Sequence, residues 1–224
     1  MCIRDRVTTD HRARAALCAE VLAARAGYSA EQLAGEFSQD FFGATDRLAA
    51  SRLQLKDLAG AKEAYESNLE LAAISYVEHV RTSGKAGTLH QLGMVAQAQR
   101  QWAAAEGYYK QALAIQVEFN DRYSQASTLG QLGLLAEAQE HWATAADYLL
   151  QALVIFRDFK DDHSLGMTLR NLARVWQASG DATLPTRVAA ALGVPEAQVV
   201  ALFRQAAGAG PQGDSNPPRP RETG

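Results

Sequence analysis

A chain of 224 residues, 47% hydrophobic and 21% charged, is long enough to bury a core as one elongated domain or two small ones. Its net charge of −3 and pI near 6.0 argue against a nucleic-acid-binding face, and no apolar run approaches the roughly 20 residues that span a bilayer. Cys2 and Cys18 are the only cysteines, so a disulfide framework is excluded and a reducing, cytoplasmic location is expected.

The first 44 residues read as an N-terminal helical segment, with helices over Asp10–Ala26 and Ser29–Phe42 and a capping box formed by Ser29 and Gln32. The charged start MCIRDRVTTDHRARAAL leaves no room for the apolar stretch of a signal peptide. Whether this pair is an eroded repeat or the tail of another module stays open.

From Thr45 to Gly180 the chain repeats itself. Thr88, Thr128 and Thr168 stand 40 residues apart, and 19 of the 40 positions in 88–127 and 128–167 are identical. Such a period implies stacked units that each bury an apolar face against the next. Within a unit the spacing is helical: Leu89, Leu92, Val95 and Ala96 mark helix A, and Trp102, Ala105, Tyr109, Ala112, Leu113 and Ile115 mark helix B. One unit on, Leu129, Leu132, Leu135 and Ala136 are followed by Trp142, Ala145, Leu149, Ala152, Leu153 and Ile155. Gly93, Gly133 and the alanines let the helices approach, while tryptophan, tyrosine and leucine fill the space left over. Trp102 and Trp142 are expected to be buried. Asn120-Asp121-Arg122 and Lys160-Asp161-Asp162 read as turns.

A degenerate unit over about 45–87 precedes these. Ala61, Tyr65 and Leu69 align with Ala105, Tyr109 and Leu113 at an offset of 44, so four extra residues are expected in a loose loop near Val80–Gly87. A third helix A, Thr168–Ser179, follows the second full unit. The segment 181–207 then reads as a capping pair, Pro185–Leu192 and Pro195–Ala206, separated by Gly193. Residues 208–224, rich in proline and glycine, read as a disordered tail.

These residues resemble the tetratricopeptide repeat in a longer variant of about 40 residues, where the usual length is 34. The family pattern falls on Leu89, Leu92-Gly93, Ala105, Tyr109 and Ala112-Leu113, and on Leu129, Leu132-Gly133, Ala145, Leu149 and Ala152-Leu153. Leu149 departs from the aromatic position, and Arg100 and Glu140 stand where glycine is common between the helices, a change that longer helices are expected to tolerate. The resemblance implies an all-α, right-handed α-solenoid of antiparallel helix pairs. The wording GQLGLLAEAQEHW and TLRNLARVWQASGD is similar to the C-terminal arrays of large bacterial signalling proteins of the STAND type, which implies a nucleotide-binding domain upstream. The opening MCIRDR resembles a translated sequencing-adapter scar, which would make the chain a fragment.

Catalytic signatures are thin. His11, His79, His90, His141 and His163 stand far apart, with no partners at metal-ligand spacing. Gly84-Lys85 before Thr88 lacks the earlier glycine and the preceding strand of a phosphate loop. Neither a catalytic set, a metal nor a cofactor is expected, and protein or peptide binding is the leading expectation. In similar repeats helix A lines a groove. Carried over, its positions are Gly87, His90, Met94 and Gln97, then Ser127, Gly130, Leu134 and Glu137, then Met167, Arg170, Arg174 and Gln177. One end is mixed and apolar while the other offers two arginines, which suits an extended peptide with an acidic end. The sequence therefore predicts a non-catalytic scaffold or sensor. The alternative is a self-contained regulator that binds a short signal peptide. Exchanging Arg170 and Arg174 for glutamate is expected to weaken capture without loss of stability.

Overall fold

The computed structural model describes residues 27–208 except 36 and 76, together with Ala16 and Ala23. The expected helix over 10–26 lies outside the described residues except for Ala16 and Ala23, which are helical, and the expected disordered tail does so except for Gly208, which ends the last helix.

Among the described residues the secondary structure is helical throughout, with no strand. In chain order the helices are α1 (Ala30–Ala34), α2 (Ser38–Gln54), α3 (Leu58–Ile74), α4 (Lys85–Ala98), α5 (Trp102–Glu118), α6 (Arg122–Ala138), α7 (Trp142–Asp158), α8 (Asp162–Ser179), α9 (Leu184–Leu192) and α10 (Glu196–Gly208). From α2 to α8 each helix packs on the next, and α9 and α10 fold back on α7 and α8. The result is an all-α solenoid of consecutive helix pairs.

The apolar stripes read from the sequence form its core. Leu89, Leu92, Val95, Leu129, Leu132 and Leu135 are all buried, and Ala105, Tyr109, Ala145 and Leu149 are fully so. Close approach depends on two glycines. A Cβ on Gly93 would come within 2.5 Å of the Tyr109 ring, and one on Gly133 within 2.7 Å of Leu149 Cγ. Tyr109 and Leu149 therefore occupy the same hole, which explains why leucine can replace the aromatic there.

The turns between helices share one geometry. Lys56, Arg100, Asn120, Glu140 and Lys160 all lie in the left-handed region, with φ between 55° and 60°. At each, the next residue's N–H reaches back to close a Schellman motif: Gln101 to the Ala96 carbonyl at 2.8 Å, His141 to Ala136 at 2.9 Å, Asp121 to Gln116 at 2.8 Å. That same residue then starts the following helix. Asp57, Asp121 and Asp161 accept from the N–H groups of Gly60, Ser124 and Ser164, each three residues on. One residue thus ends a helix and caps its successor, which keeps the connections short. Arg100 and Glu140 do not escape glycine's conformation through longer helices, as the sequence suggested. They adopt it, at a strain cost of order 1–2 kcal/mol each.

Other expectations require correction. Helix A begins at Arg122 and Asp162, six residues before the threonines, because the aspartate caps set its start. Residues 80–87 are no loose loop: Val80–Gly84 forms a π-helical turn continuous with α4. The four extra residues lengthen this helix, and Val80 and Thr82 are buried in it. The N-terminal stretch Ser29–Phe42 is broken at Gly35, so Phe42 belongs to α2, although the Ser29–Gln32 capping box is present. Trp102 and Trp142 are half-buried. Each is the first residue of its helix and packs on the margin of the core, so truncation should cost well below the penalty for a fully buried aromatic.

The array closes on its last face as solenoids require. Leu184, Val188, Val199 and Phe203 from the final pair join Leu172 and Val175 in one buried cluster. Gly180 and Gly193 end α8 and α9 in left-handed conformations. Among the described residues no single helix is long and apolar enough to cross a membrane; α9 and α10 are apolar enough only as a pair bent by 115°.

Candidate functional site: the helix A strip

The expected groove residues lie on α4, α6 and α8, the A helices of three successive units. Two cross-links hold these helices in register. His90 Nδ1 lies 3.0 Å from Thr128 Oγ1, joining α4 to α6. Arg174 donates from Nε and Nη2 to both oxygens of Glu137 at 2.9 Å, joining α6 to α8. A two-point Arg–carboxylate contact is among the stronger exposed pairs, because its fork fits the carboxylate plane.

Consequently several expected ligand-binding residues already have work within the fold. Gln97 accepts the Tyr109 hydroxyl at 2.9 Å and so supports the core. His90 lies edge-on to the Tyr109 ring at 5.6 Å, and burial lowers its proton affinity from the ordinary value. Arg174 and Glu137 satisfy each other. Arg170 and Gln177 remain exposed, and Arg170 has no ion pair among the described residues. Met94 and Leu134 are half-buried, and nothing stands within 4 Å of where a Cβ on Gly130 would be. The end expected to present two arginines thus presents one free guanidinium. That pairing was illegible in the sequence, since it joins positions 37 residues apart in a 40-residue period and depends on the stagger between units.

Among the described residues no group of three His, Cys, Asp or Glu side chains is placed to hold a metal ion. Sequence reasoning missed a second feature beside the strip. An open cleft of about 200 Å³ lies where α4, the end of α5 and the start of α6 meet. It includes Gly87, His90 and Ser127 of the expected groove, and adds Ser83, Gln116, Asp121 and Ser124. The signal for it was available in the residues at which the two aligned units differ.

Fold and strip together define a helical-repeat solenoid of the kind that presents a surface to other proteins. Residues 85–158, which hold the helix pairs α4–α5 and α6–α7, match the tetratricopeptide repeat family model. Such repeats generally mediate protein–protein interaction. Among solved structures, the chain is similar to BtubC (BKLC) from P. vanneervenii, with 23% identity and a TM-score of 0.69. That match covers 96% of this chain and 80% of the other. It is also similar to a Podospora anserina protein described as a kinesin light chain with nearly identical TPR-like repeats. There the identity is 18% and the TM-score 0.60, with 91% and 90% covered. At these identities the likeness concerns the fold. No curated protein matches the sequence.

Proposed function

We propose that the chain is a non-catalytic scaffold or sensor that holds an extended peptide segment of a partner protein along the strip formed by α4, α6 and α8. The observation that carries this reading is the registration of those helices by His90–Thr128 and Glu137–Arg174, which turns three separate faces into one strip. A half-buried apolar stretch at Met94 and Leu134 leads to an exposed guanidinium at Arg170. That order suits a segment with apolar residues followed by an acidic one. A place for the array within a larger signalling protein is compatible with this reading, and rests on the sequence resemblance alone.

Panning a random peptide library on the full chain tests it. Wild-type protein should enrich peptides carrying an acidic residue, and Arg170→Glu should lose them, while Arg204→Glu on α10 should keep them. Arg174 is unsuited to this test, because Arg174→Glu would set two carboxylates against each other and disturb the fold. Failure to enrich any sequence, or equal enrichment by Arg170→Glu, would remove the proposal.

A further inference from the structure

The cleft between α4, α5 and α6 differs from its counterpart one unit on. Its floor holds Gln116, whose residue is 4% exposed and whose side-chain carbonyl oxygen is buried without a hydrogen-bond partner. A buried acceptor left unpaired destabilises the fold. Asp121 lines the same cleft; one carboxylate oxygen accepts the Ser124 N–H at 3.1 Å, and the other has no partner among the described residues. Ser83, Ser124 and Ser127 line the cleft with them, and nothing stands within 4 Å of where a Cβ on Gly87 would be.

Forty residues later the same places are filled. Ser83 is replaced by Tyr123, Gln116 by Phe156 and Ser127 by Met167, while Asp121 corresponds to Asp161. Tyr123 packs edge-on to Phe156 at 5.9 Å, and its hydroxyl donates to the second Asp161 oxygen at 2.8 Å. There the carboxylate and the hole are both used. In the first unit both remain available.

We propose that this cleft receives one cationic side chain, a lysine or arginine, from the peptide that lies along the strip. The proposal rests on the peptide-binding reading above and names one recognition element within it. The unpaired Gln116 carbonyl oxygen and the free Asp121 carboxylate oxygen are acceptors, and the carboxylate adds negative charge, so a positively charged donor complements them and an anion does not. Local cations offer little competition. Arg122, next to Asp121 in the chain, is paired with Asp158 at 3.7 Å, and His90 stays neutral under the desolvation already described. The last turn of α5 also brings the negative end of its dipole to the site.

The test titrates the ¹⁵N-labelled full chain with tripeptides Ac-Ala-Xaa-Ala-NH₂, where Xaa is Lys, Arg, Gln or Glu, and with sodium phosphate. The lysine and arginine peptides should shift the amide signals of Ser124 and Ser127 and the side-chain amide of Gln116 saturably. Asp121→Asn keeps the cap but removes the charge, and should weaken binding about tenfold, the loss expected for one hydrogen bond to a charged group. The pair Ser83→Tyr and Gln116→Phe, which copies the filled unit, should abolish the shifts with no loss in melting temperature. Absence of saturation, equal binding of the Glu peptide or of phosphate, or unchanged binding by either variant would overturn the proposal. The tripeptides do not need Arg170, so a failed strip and a failed cleft give different results.

Discussion

The units formed by α2–α3 and by α4–α5 align at an offset of 44 residues, and they meet the same packing demand with different chemistry. Both place a buried tyrosine, Tyr65 or Tyr109, on helix B. Opposite it stands Ala49 in the first and Gly93 in the second. The hydroxyl of Tyr109 donates to Gln97, whereas Leu53 holds the corresponding position beside Tyr65. Asn68 is fully buried with both amide atoms unpartnered, where α5 and α7 carry Ala112 and Ala152. Asp46 occupies the place of His90, and burial raises its carboxyl above the ordinary value while it lowers the imidazole. One cause, desolvation, thus acts in opposite directions on an acid and a base. The large residue opposite a small one is kept in both units, while the positions around it drift and leave polar groups in the core. The α2–α3 unit should therefore be the weaker part of the array, since stability in stacked repeats is a sum of local terms.

The comparison breaks most readily at Gly93. Gly93→Ala would drive a Cβ into the rigid Tyr109 ring and should cost about 2–3 kcal/mol in urea unfolding. Ala49→Gly in the sister unit should cost only about 1 kcal/mol, the backbone effect alone. Equal costs would mean that the glycine does not set the helix approach.

Asn68→Ala sharpens it in the other direction. Removing two unpaired buried atoms should stabilise the chain by about 1–2 kcal/mol and bring the weaker unit closer to its neighbours. A loss of stability would show that the amide is satisfied in solution. A smaller gain, about 0.5–1 kcal/mol, is expected from Glu140→Gly, which relieves a left-handed φ of 60°. A lower melting temperature would count against strain at that turn.

The smallest effect is the dependence on pH. Because the folded His90 has a lowered pKa, its contribution is complete above the ordinary 6.5 and is lost as the pH falls through the folded value. Asp46, with a raised pKa, works oppositely: its penalty is present at neutral pH and is relieved on acidification. His90→Gln should therefore flatten the fall in melting temperature between about pH 7 and about pH 5. An unchanged slope would show that the imidazole is not desolvated.

Much of this architecture was legible before the structure. Gly93 with Tyr109, and Gly133 with Leu149, could be read because small and large residues recur at matched offsets within each unit. The capping aspartates were visible as turn residues, though not as the origins of helix A, so the units were read six residues out of phase with their helices. The candidate strip was legible only as a set of positions. Its free and occupied members could not be told apart, Gln116 went unread because it lies outside the helix A pattern, and Asp121 was read only as a turn residue.

The amino-acid order alone determined the helix pairs, their period and the residues of their core, because a 3.6-residue stripe and a large-to-small match are properties of neighbouring positions. Only the tertiary structure decided that Arg174 is held by Glu137, that His90 meets Thr128, and that a polar hollow opens beside Gln116. Those outcomes depend on how far one unit slides and turns against the next. That stagger is a balance of contacts across the whole stack, and no single period contains it.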